Sequence, residues 1–151
     1  MRFYLVALAA LVSVNAATAD VGTASPNLKE IFSRTIRVER ATDVTEIPLK
    51  LRSGKIYLEA SVGAFTGDFI FDTGSPTILD RSLAEQLALE VIGENTGQDA
   101  NGNSVSMTIA IARSISIGDV TFYDVPVMVH DFASLPLGRC FIPNGVIGSE
   151  L

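Results

Sequence analysis

The sequence contains one cysteine, Cys140, and one histidine, His130. A single thiol excludes the internal disulfide framework that staples many small secreted domains. A Cys–His nucleophilic pair would have to join Cys140 to His130, which stands at the end of an apolar strand, and a buried or fortuitous thiol is the plainer account. One histidine without clustered partners also argues against a metal site, so neither metal nor cofactor is expected. Positive charge is scarce as well: 11 Lys and Arg against 17 Asp and Glu give a net charge of −6. Nucleic acid and anionic lipid both call for basic patches, so neither is an expected partner. Long hydrophobic runs are missing too. Phe3 to Val14 holds about a dozen apolar residues, too few to span a bilayer.

That short run instead has the form of an export signal. Arg2 provides a positive start, and Ala17-Thr18-Ala19 gives small residues suited to cleavage before Asp20. Residues 1–19 are therefore expected to be a signal peptide. The absence of paired cysteines and of any Asn-x-Ser/Thr acceptor fits export into a bacterial periplasm or medium.

Residues 20–45 form a distinct lead-in. Ser25-Pro26 marks a helix start, with Leu28, Ile31 and Phe32 at helical spacing. A linker or packing segment is expected, and a pro-segment over a cleft is the alternative. From Glu46 the hydrophobic period changes to two. Ile47, Leu49 and Leu51 alternate with polar residues, Ser53-Gly54 makes a turn, and Ile56, Leu58, Ala60 and Val62 alternate again, which predicts a half-buried hairpin. A second turn is expected around Thr66-Gly67, before the strand Phe69–Phe71.

That strand runs into Asp72-Thr73-Gly74-Ser75. A carboxylate at the end of an apolar strand is costly unless hydrogen bonds hold it. Thr73 and Ser75 bring hydroxyls, and Gly74 allows a tight turn whose N–H can approach the acid. Asp72 is thus the candidate catalytic carboxylate. Asp80, close behind, is better explained as the N-cap of a helix over Arg81–Leu89. Thr96 to Ser106 is small and polar, and Asn101-Gly102 predicts a two-residue hairpin turn that could serve as a mobile flap tip. Strands follow over Ile111–Ile117, Val120–Phe122 and Val125–Val129. Ala133 to Asn144 is expected to be loop, and Gly145-Val146-Ile147-Gly148 is a short apolar run bracketed by glycines. The domain is expected to be mainly β with one or two short helices.

Asp72-Thr73-Gly74-Ser75 after an apolar triplet resembles the active-site motif of aspartic peptidases, and Val146-Ile147-Gly148 resembles that family's apolar-glycine strand. The Asn101-Gly102 hairpin falls between them, where the family carries its flap. The likeness covers Glu46 to Leu151 and is nearest to single-lobe, retropepsin-like peptidases of the bacterial exported type. It implies a closed or partly closed antiparallel β-barrel lobe, a polypeptide substrate, and a water activated by an Asp dyad. Since the chain holds one such aspartate, it also implies a homodimer with Asp72 from each copy. Within that site Thr73 would bond across the two-fold axis, Ser75 would bond the outer oxygen of Asp72, and Gly74 would present its N–H to the carboxylate. Family members continue beyond the apolar-glycine strand, whereas here Ser149-Glu150-Leu151 follow, so residues 46–151 are expected to be a lobe shortened at that end. The alternatives are a non-catalytic peptide- or protein-binding lobe of the same fold, an inactive fragment of a longer two-lobe protease, or a β-rich binding domain with a chance Asp-Thr-Gly.

Overall fold

The computed structural model describes residues 28–33, 35–98, 102, 104–136 and 138–151. The expected signal peptide, the Ser25-Pro26 helix start and Asn101 lie outside the described residues. A short helix α1 (Leu28–Phe32) is followed by β1 (Arg37–Arg40), β2 (Leu49–Arg52), β3 (Lys55–Val62), β4 (Phe65–Phe71) and β5 (Ile78–Asp80). Helix α2 (Arg81–Gln86), β6 (Glu90–Gln98), β7 (Ser104–Ile117) and β8 (Val120–His130) come next, then a 3-10 turn (Phe132–Ser134), α3 (Gly138–Phe141) and β9 (Gly145–Ile147).

All strands among the described residues join one nine-stranded sheet in the order β1-β8-β5-β9-β4-β3-β7-β6, with β2 on β3. An additional pairing of β7 with β8 turns β8, β5, β9, β4, β3 and β7 into a ring. The fold is the mainly β, partly closed lobe that the alternating pattern and short helices lead one to expect. Most pairings are antiparallel, but β4–β9 and β5–β8 are parallel. The interior holds Leu58, Val62, Phe69, Leu79, Ile115, Val125, Val127 and Ile147, all at most 2 % exposed. β1 lies antiparallel on β8 (Arg37↔Tyr123), so this part of the lead-in is a sheet strand.

Several local details differ from the sequence pattern. The turn between β3 and β4 falls at Gly63-Ala64, not at Thr66-Gly67, since Val62 pairs with Phe65 and Gly63 takes a φ of 56°. Gly67 is glycine for lack of space: a Cβ there would lie 2.9 Å from Asn144 Nδ2 and from the Phe65 ring. The hairpin β2–β3 is not half-buried along its length. Leu49, Leu51 and Ile56 are 56 %, 77 % and 43 % exposed while Tyr57 is buried. Among the described residues β2 pairs with β3 alone, and its apolar side chains stand outside the ring. Helix α2 stops at Gln86 instead of reaching Leu89, with Ala88 in a left-handed conformation (φ 48°). Asp80 caps it, accepting the Ser82 N–H at 3.0 Å. The region expected to be loop, Ala133 to Asn144, contains most of the 3-10 turn and all of α3.

Candidate active site

Asp72 follows β4 directly, and its position is set by the strands around it. β9 inserts between β4 and β5, parallel to the first (Ile70↔Val146, Phe71↔Ile147) and antiparallel to the second (Ile78↔Val146, Leu79↔Gly145). Loop 72–77 therefore leaves one neighbour of β9 and returns on the other. The Asp72 N–H donates to Ile147 O at 3.1 Å, and the Ser75 N–H donates to Asp72 O at 3.2 Å, closing a tight turn. The Gly74 N–H donates to Asp72 Oδ1 at 2.9 Å. Asp72, Thr73 and Gly74 are exposed at the surface of this single chain.

The bond from Ser75 to the Asp72 carboxylate is not formed here. Ser75 Oγ donates instead to Pro76 O at 2.8 Å. The hydroxyl that is fully buried is that of Thr77, whose Oγ1 accepts the Gly148 N–H at 3.0 Å. Gly148 has no room for a side chain, because a Cβ would run into Ser75 O, the Glu150 carboxylate and the carbonyl carbon of Pro76. Val146 and Ile147 are buried at 7 % and 1 %. Residues Asp72 to Ser75 and Val146 to Gly148 are thus brought together as one unit.

β6 and β7 form the flap-like hairpin, paired from Glu90↔Ile111 to Gln98↔Ser104 with a register shift between Val91 and Gly93. Positions 99–103, where the two-residue turn at Asn101-Gly102 is expected, lie beyond the last described pair. Of these only Gly102 is described, with a φ of 82°. A cleft of about 460 Å³ opens beside the hairpin, lined by Ile78, Ser104, Ser106, Met107, His130 and Phe132 among others. Its apolar wall continues into a small cluster of Tyr57, Ile70, Phe132 and Val146. The Tyr57 hydroxyl donates to Phe141 O at 2.7 Å, tying α3 to this wall. Strict alternation points Tyr57 outward, so nothing local in the sequence reveals its role.

His130 sits with its ring edge-on to Phe132, centroids 5.3 Å apart, and Cys140 is exposed on α3. Among the described residues no group of three or more His, Cys, Asp or Glu is arranged to hold a metal ion, and no helix is long and apolar enough to cross a membrane.

A second cleft, about 320 Å³ and mostly apolar, lies on the other flank of the loop, lined by Ile47, Leu49, Phe71, Phe122, Ile147 and Leu151 among others.

The sequence model of a family described as aspartyl protease matches residues 58–151, more than half of the chain, and takes in both Asp72–Ser75 and Val146–Gly148. The chain belongs to the aspartyl protease family. Among solved structures it is similar to a retropepsin-like aspartic protease from Rickettsia conorii, with a TM-score of 0.52 and 21% identity over 78% of this chain and 82% of that one. At that identity the likeness speaks for the fold alone. No curated protein matches the chain. Asp72-Thr73-Gly74 and the strand behind it, β9, both fall within the matched residues.

Proposed function

We propose that this chain is an exported aspartic endopeptidase whose catalytic dyad forms between two copies. The observation that carries this proposal is the position of Asp72: an exposed carboxylate on a tight turn, backed by a buried glycine-bracketed strand, and present once per chain. Peptide hydrolysis by water needs a base to take a proton from the water and an acid to protonate the carbonyl oxygen. Two carboxylates about 3 Å apart supply both, because they cannot both ionise and share one proton. The water oxygen bonds to the carbonyl carbon while one carboxylate takes its proton and the other gives its own to the carbonyl oxygen. Collapse then returns a proton to the departing nitrogen as the C–N bond breaks. The pair titrates as a unit, so cleavage should fall away on both sides of an acidic optimum.

The apolar cleft beside Phe71 and the uncovered apolar residues of β2 support association, since contiguous apolar surface next to a half-site favours a partner. The cleft beside the flap, with Ile78, Met107 and Phe132 in its wall, suits an apolar or mixed side chain of a peptide.

The test is cleavage of a mixed peptide library from pH 3 to 7, repeated with Asp72→Asn. The expected loss is at least about 10³-fold with the fold retained. Cleavage that survives the substitution would refute the mechanism. Sedimentation should show a dimer in the cleaving sample, and a strictly monomeric species that cleaves would refute the shared dyad. Export is tested by fractionating cells that express the full sequence and looking for loss of residues 1–19.

A further inference from the structure

Asp72 is held by its backbone more than by its side chain, so whatever fixes loop 72–77 also sets where the acid works. The first half of the loop is secured by the Asp72 N–H to Ile147 O bond. The second half passes through Thr77, which is fully buried and uses its three polar groups on two segments, β8 and the turn 148–150. Its carbonyl accepts the Met128 N–H at 3.0 Å, its Oγ1 accepts the Gly148 N–H at 3.0 Å, and its own N–H donates to Glu150 Oε1. The Ser149 N–H meanwhile donates to Ser75 O at 3.3 Å. The turn 148–150 therefore lies across the loop like a clasp.

Glu150 is the side chain that closes it. A buried backbone N–H without an acceptor is costly, and the carboxylate of Glu150 accepts that of Thr77. The ion pairs among the described residues do not involve Glu150, so its half-buried charge is directed to this backbone donor. The fit is mutual, because the space a Gly148 side chain would need is filled by Ser75 O and the Glu150 carboxylate.

We propose that Glu150 is a positioning residue of the proteolytic site, acting through Thr77 to hold loop 72–77 in register with β9. This inference rests on the protease assignment above. Among the described hydrogen bonds Glu150 meets Thr77 and not Asp72, so its removal should slow turnover without weakening substrate binding. A displacement of about 1 Å at a catalytic group can lower the rate 10²-fold.

The experiment compares wild type with Glu150→Ala, Glu150→Gln and Glu150→Asp. Three quantities are measured: kcat and KM on a cleaved peptide, far-UV circular dichroism, and amide exchange at Thr77 in ¹⁵N-labelled protein. Glu150→Ala should lower kcat by about ten- to a hundredfold with KM within about twofold, and should speed exchange at Thr77. Glu150→Gln keeps an acceptor oxygen at the same reach and should recover most of the rate. Glu150→Asp keeps the charge but is one methylene short, and should behave like alanine. If alanine prevents folding, the Gln and Asp variants carry the comparison. Wild-type kcat in Glu150→Asp, or a Gln variant as slow as Asp, would overturn the proposal. If wild type cleaves nothing, the protease assignment falls and the positioning role falls with it. Unchanged Thr77 exchange in Glu150→Asp would separately remove the clasp.

Discussion

Replacing Gly148 with alanine would force either the acid loop or the strand behind it to move. A Cβ at this position would lie 2.5 Å from the Pro76 carbonyl carbon, and closer still to Ser75 O and the Glu150 carboxylate. Ordinary contact begins near 3.4 Å, so the deficit is about 1 Å against two backbone atoms and a side chain that is itself engaged. Neither backbone atom can yield alone, because Ser75 is tied to Asp72 O at 3.2 Å and to the Ser149 N–H at 3.3 Å. Overpacking of this kind costs about 1–3 kcal/mol, and the rigid surroundings favour the upper part, about 2–3 kcal/mol. At roughly 4 °C per kcal/mol for a domain of this size, Tm should fall by about 8–12 °C. Gly74→Ala provides the contrast. Gly74 has no positive φ, and its added Cβ would meet only Asp72 Oδ1, at 3.4 Å, so stability should change by less than about 0.5 kcal/mol. Thermal unfolding followed by circular dichroism reads both variants. A Gly148→Ala protein that melts with wild type, or no earlier than Gly74→Ala, would refute the claim that β9 and the loop are in hard contact.

Asp80→Ala removes the α2 cap and strips the buried Phe132 N–H of its acceptor, 3.2 Å from Asp80 Oδ2. Together these should cost about 2–4 kcal/mol in urea unfolding, with Asp80→Asn recovering part, and a loss below about 1 kcal/mol would contradict the double role. Asp68 on β4 joins Lys50 Nζ at 2.7 Å and Arg52 Nη2 at 2.6 Å on β2, and the Lys50 hydrogen bond leads in holding its carboxyl below the ordinary 3.8. A depressed folded value means the pair stabilises fully above the unfolded value and is lost as pH falls through the folded one. Asp68→Asn should therefore lower stability modestly at neutral pH and meet wild type in strong acid, which urea midpoints across pH 2–7 would show. Parallel curves at every pH would count against the ion pair.

The parts of the site that were legible in the sequence are those whose signals are local. Phe69–Phe71 followed by Asp72-Thr73-Gly74 announces a strand running into a tight turn, and the Gly74 N–H does lie on the Asp72 carboxylate. Asp80 before a short apolar-spaced segment marks a helix cap, and it is one. Local patterns failed where packing decided the outcome. Gly67 looks like a turn residue but is small because Asn144 and Phe65 press on it, and the turn moved to Gly63-Ala64. Leu49 and Leu51 alternate as core residues should, yet stand exposed because β2 lies outside the ring. Burial depends on what covers a strand, and alternation reports only that its faces differ.

By itself, then, the amino-acid order determined a mainly β chain with one acid on a glycine turn and one apolar-glycine strand to accompany it. Those features depend on neighbours along the chain, whose spacing dictates turn and strand geometry. Only the tertiary structure decided that β9 enters between β4 and β5, that Tyr57 is covered on the outer face by Phe132 and α3, and that Thr77 is clasped by Glu150. These contacts join residues about seventy or more positions apart, and their energies come from close approach and shared hydrogen bonds, which exist only once the chain has closed on itself.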